Sequence, residues 1–150
     1  MTMPVVRTFN KEMIEAYLRR KNLKFLVDSD GDYRVDYAYD DECGCEMTVW
    51  MILGGSKKDI YCVRVNTDKR VPQRDWGKAV LICNQWNKEK RWPKAFLYYR
   101  DSEAEHGDIL LEGQIDLEQG IHQELFDDFT DTVVATAYSF WKWAHQEKGL

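Results

Sequence analysis

Three short constellations in this sequence carry residue types that could do chemistry. Asp28, Asp30 and Asp32 alternate in Asp28-Ser29-Asp30-Gly31-Asp32, the opening spacing of an EF-hand calcium loop. The remainder of such a loop is missing. Its sixth position needs glycine and holds Tyr33, and its twelfth needs a bidentate glutamate and holds Tyr39. The flanks alternate like strands rather than helices, so the expectation is an Asp-Gly hairpin turn. Cys43-Gly44-Cys45 follows the acidic run Asp40-Asp41-Glu42. Its C-x-C spacing is neither a thioredoxin-type pair nor half of a zinc site. It reads as a turn with two thiols near solvent, while Cys62 and Cys83 read as small buried apolar residues. His106, His122 and His145 fall in a loop, at a helix start and near the C-terminus, with no nucleophile beside them. They read as surface histidines. The phosphate, dinucleotide, zinc-protease and nucleophile-elbow motifs are all missing from the sequence. The expectation is a protein without catalytic residues, metal or cofactor.

A fourth feature is structural. Asn84 and Asn87 stand one turn apart in a stretch that otherwise reads as helix, and asparagine is a poor helix-interior residue. Both read as hydrogen-bond anchors, with Asn87 pinning the helix end to the strand that follows.

These residues must be positioned by one domain, residues 1–150. The chain has 150 residues, 44% of them hydrophobic and 13% aromatic, which supports a real core and excludes global disorder. No run approaches the ~18 apolar residues of a membrane span. The opening MTMPVVRTFNKEM does not read as a signal peptide, so a cytoplasmic location with reduced thiols is expected. The net charge of −5 hides segregation: residues 28–46 carry eight acids and one base, and residues 47–100 carry twelve bases and four acids. An acidic chain is a poor default nucleic-acid binder. The basic block also holds Trp50, Trp76, Trp86 and Trp92, which keeps a nucleic-acid-linked or signalling regulator as the alternative reading.

Hydrophobic spacing predicts a helix over Thr8–Asn22, with Met13, Ile14, Tyr17 and Leu18 inward and Thr8 or Asn10 as cap. A period of two then predicts strands at Lys24–Val27, around Tyr33–Tyr39, Met47–Leu53 and Tyr61–Val65. Pro72 opens a helix over Gln73–Arg91 with a stripe of Trp76, Ala79, Val80, Cys83, Trp86 and Asn87. Strands at Lys94–Arg100 and Ile109–Leu117 precede a last helix, Ile121–Gln146, with a stripe through Ile121, Leu125, Phe129, Val133, Ala137, Phe140 or Trp141, and Ala144. The order α-β-β-β(β)-α-β-β-α implies an α+β fold: a single antiparallel sheet with helices packed on one face. Its other face should then be polar. Yet neither parity of these strands is cleanly polar, because Trp50, Ile52, Phe96, Tyr98 and Leu110 sit at alternating positions. Such a face calls for a cover, most simply a second copy of the chain or a segment of another protein.

The segment Asn84 to Ala95, with its Trp86-Asn87 followed by bases and Pro93, resembles the centre of the YbjN domain family of bacterial sensory transduction regulators. Ile115-Asp116-Leu117-Glu118-Gln119-Gly120-Ile121 and the aromatic helix from Leu125 to Trp141 match the parts that follow there. The resemblance covers about residues 70–150. It implies a fold like that of type III secretion chaperones, small dimeric proteins that hold an extended client segment, and no catalytic residues. The expected role is therefore a homodimeric, non-catalytic adaptor or chaperone-like module binding a segment or tail of another protein. Trp50, Ile52, Phe96, Tyr98 and Leu110 are its candidate contacts. Asp127, Asp128 and Asp131 are expected to steer a basic client.

Overall fold

The computed structural model describes residues 3–150. The first helix, α1, is Lys11–Arg20. Asn10 starts it by accepting the N–H of Met13 on its side-chain oxygen. Met13, Ile14, Tyr17 and Leu18 are all buried. Five strands follow: β1 (Leu26–Val27), β2 (Tyr33–Asp40), β3 (Cys45–Gly54), β4 (Ile60–Thr67) and β5 (Arg70–Pro72). A single 3-10 turn at Gln73–Asp75 leads into α2 (Trp76–Glu89). Then come β6 (Lys94–Tyr98), β7 (His106–Asp116) and α3 (Gln123–Gln146). The strand β5 adds one element to the expected order; three residues are too few for alternation to be seen in a sequence.

All seven strands join one antiparallel sheet, β1-β2-β3-β4-β7-β5, with β6 pairing β7 as well. Glu112 of β7 pairs Arg64 of β4 on one side and Lys94 of β6 on the other. Asp108 likewise pairs Arg70 of β5 and Tyr98 of β6. Thus β4 and β5 share one edge of β7, and β6 holds the opposite edge.

The three helices cover one face. Met47, Val49 and Met51 of β3, Tyr61, Val63 and Val65 of β4, and Ile109 and Leu111 of β7 point into that layer and are buried. Tyr61 stacks on Phe126 of α3 at 4.4 Å between ring centres, and its hydroxyl meets the Thr130 hydroxyl at 2.8 Å. Trp86 of α2 meets Phe140 edge-on at 5.2 Å. Gly113 of β7 sets the spacing of the layers: a Cβ there would lie 2.5 Å from the Val133 side chain. A side chain at 113 would push α3 off the sheet.

Two expected stripes are corrected. On α3 the inward residues are Phe126, Thr130, Val133, Ala137, Phe140, Trp141 and Ala144, while Leu125 is 46% exposed. Repeated steps of four advance about 40° each around a helix, so the first half of the expected stripe leaves the core at Leu125, while Val133, Ala137, Phe140, Trp141 and Ala144 keep to it. On α2 the inward face is Ala79, Ile82, Cys83 and Trp86, and Val80 points outward.

Candidate functional site

The uncovered face of the sheet is built from the alternate residues of the same strands. Strand register aligns Leu26, Arg34, Trp50, Arg64, Glu112 and Lys94 in one row across it. Glu112 is the buried centre of that row, with 4% of its side chain exposed. Arg64 reaches its Oε2 at 2.6 Å through Nη2 and 2.7 Å through Nε, and Lys94 reaches Oε1 at 3.5 Å. Burial raises the Glu112 carboxyl, but the Arg64 hydrogen bond and charge, with those of Lys94, outweigh it and hold it below its ordinary range. Arg34 pairs with Asp36 at 2.9 Å and Arg70 with Asp108 at 3.3 Å. Each base named here therefore has a carboxylate partner, with Glu112 serving two of them.

Between the charges lie the apolar candidates. Trp50, Ile52, Tyr98 and Leu110 line one depression of about 420 Å³ together with Arg64, Asn66 and Asp108. Phe96 faces the same way, paired in register with Leu110. The five residues singled out from alternation thus occupy one face. Tyr98 is 54% exposed and the others are half-buried. Long bases cover part of the rings: the Arg34 guanidinium sits 5.6 Å from the Trp50 ring centre, and Lys94 5.7 Å from that of Phe96. The Trp50 indole donates to Asn66 Oδ1 at 3.0 Å, fixing its ring.

The three acids of α3 divide. Asp127 is buried and ion-paired with Arg20. Asp131 accepts from the Tyr17 hydroxyl at 2.7 Å and pairs with Lys21 at 2.9 Å. Both clamp α1 to α3, so their charges are matched inside the fold; Asp128 alone faces outward unpaired among the described residues. The two asparagines divide as well. Asn87 donates to the Ala95 carbonyl and accepts the Ala95 N–H, both at 2.9 Å. Asn84 is exposed, and among the described residues its side chain bonds nothing.

The remaining constellations each make local structural contacts, and the carboxylates of Asp28, Asp30 and Asp32 lie within 4.8 Å of one another. The Asp28 carboxylate accepts the N–H groups of Asp30 and Asp32, both at 2.9 Å, and closes the β1–β2 hairpin. Cys43 and Cys45 are 1% exposed each, which corrects the expected solvent-near thiols. Burial pushes Cys43 up to about 11 and Cys45 to about 12, so both are protonated and unreactive at neutral pH. Gly44 has φ +68 and makes room for the His145 ring, which lies against it and meets Lys69 Nζ at 3.0 Å. His122 caps α3 by accepting the Leu125 N–H. The basic block 47–100 is dispersed: Lys57 and Lys58 lie in the β3–β4 turn, Arg64 and Lys94 on the open face, and Lys78 and Lys88 on α2.

Sequence reasoning missed the Arg64–Glu112–Lys94 group. Its signal was an acid amid the apolar run Ile109-Leu110-Leu111 and Gly113, since a buried carboxylate needs bases.

Among the described residues no helix is long and apolar enough to cross a membrane. No curated protein matches this sequence. The chain shares its fold with a crystal structure described as YbjN, a putative transcription regulator from E. coli: the TM-score is 0.75 at 12% identity, over 96% of each chain. A family model described as "Putative bacterial sensory transduction regulator" matches residues 10–146. The chain belongs to the YbjN family.

Proposed function

We propose that this protein is a non-catalytic regulatory adaptor that works as a pair of copies and holds a segment of another protein on the open face of its sheet. The observation that carries this reading is the gathering of Trp50, Ile52, Tyr98 and Leu110 around one depression, with Phe96 beside it. Aromatic and branched side chains held by a rigid sheet are suited to anchor apolar side chains of a client. Because the bases around them are already engaged by carboxylates, a polypeptide is favoured over nucleic acid. A phosphate backbone would have to separate Arg34 from Asp36 and Arg64 from Glu112 to gain its contacts.

The test is affinity capture from the host's lysate, comparing the wild-type chain with a Trp50→Ala/Tyr98→Ala double variant whose circular dichroism matches wild type. A partner enriched by the wild-type chain and lost from the variant is the expected result. Equal recovery by both chains removes the open face from the reading, and no partner for either removes the adaptor itself.

A further inference from the structure

The longest helix of the fold is not flanked along its whole length, and a groove remains beside its first half. The helix α2 ends at Glu89, and the chain then turns through Arg91 and Trp92 into β6. A cavity of about 500 Å³ lies between that turn and α3, floored by Gly113 and walled by Leu125, Phe129 and Val133. Trp92 and Leu125 stand at its walls with 48% and 46% of their surface exposed. Two large apolar side chains across an open groove indicate a cover.

The sheet is also incomplete there. Lys94, the first residue of β6, pairs with Glu112, and among the described residues nothing pairs with 113–116 on that edge. Because Asn87 takes both backbone groups of Ala95, those groups point away from β7. Alternation then aims the backbone N–H and C=O of Gln114 and Asp116 at the open edge.

Charge says what fits. Arg91 and Asp128 line this groove from opposite walls, and among the described residues neither has an ion-pair partner. A two-fold axis sets a patch against a rotated copy of itself. A patch of one sign repels its copy, whereas this one carries both signs, so an axis between its walls can set Arg91 of each copy against Asp128 of the other. We infer that the groove between α3 and the end of β7 is where two copies of the chain join. Trp92 of each copy enters the other's groove over Leu125, and the Gln114–Asp116 edges run antiparallel about the axis. This names the surface for the pairing proposed above.

Sedimentation velocity on wild type, Arg91→Asp, Asp128→Arg and an equimolar mixture of the two variants tests it without any client. Wild type is expected at twice the chain mass. Each variant alone opposes like charges at both contacts and pairs at least about tenfold more weakly. The mixture restores attraction at both contacts and recovers the pair. A wild-type chain that is monomeric at every concentration overturns the inference. So does a pair that survives both substitutions, or a mixture that stays apart. Both positions are exposed, so unchanged circular dichroism confirms that the variants are folded. Since no client is present, failure here leaves the open-face reading to its own capture experiment.

Discussion

The two faces of the sheet are made from alternate residues of the same strands, yet they keep apolar surface from water in different ways. On the covered face, Tyr61, Val63 and Val65 meet helices and lose all contact with solvent. On the open face, Trp50 and Phe96 keep part of their surface and lie under the charged ends of Arg34 and Lys94. The first arrangement cannot be exchanged without unfolding. The second is a cover of part-exposed charged side chains, so the difference separates what holds the fold from what solvent still reaches.

The comparison is broken most directly by substitution. Phe126→Ala removes a fully buried ring from against Tyr61 and is expected to cost about 3–5 kcal/mol in urea unfolding. Glu112→Gln attacks the one buried charge of the open face. Its bases are partly exposed and rehydrate, so the expected cost at neutral pH is smaller, about 1.5–3 kcal/mol. A cost equal to that of Phe126→Ala would erase the distinction between the faces. The pH dependence sharpens it further. The folded carboxyl titrates below its ordinary value of 4.5, so its contribution is present above that pH and is lost as the pH falls through the lower, folded value. Urea midpoints of wild type should therefore fall toward those of Glu112→Gln below pH 4.5. The edge gives the smallest effect: Asn87→Ala loses two hydrogen bonds and costs about 1–2 kcal/mol, against less than about 0.5 kcal/mol for Asn84→Ala. Equal costs would show that the amide at 87 is not an anchor.

Much of the layout was legible because local chemistry and global packing agree. Asn10 caps α1 and the Asp28 turn closes its hairpin, while alternation singled out Trp50, Ile52, Phe96, Tyr98 and Leu110 without fixing their face, which the strand register supplies. What was illegible depends on partners far away in sequence. Asp127 and Asp131 look like surface acids until Arg20, Lys21 and Tyr17 are brought to them. The depth of Cys43 and Cys45 depends on the His145 end of α3 folding back over their turn. Leu125 and Phe126 are adjacent and both apolar, and only the meeting with Tyr61 decides which turns inward.

The amide of Asn87 occupies Ala95 as a neighbouring strand would, and this bears on how the molecule fares when crowded. Fibrils grow by adding strands to a bare row of backbone groups. Here the β6 flank is interrupted at Ala95 by a side chain from the preceding helix, while among the described residues 35–40 of β2 and 113–116 of β7 keep bare outer edges. Losing that one amide should therefore add Ala95 to the bare stretches and raise the tendency of stored protein to form cross-β deposits.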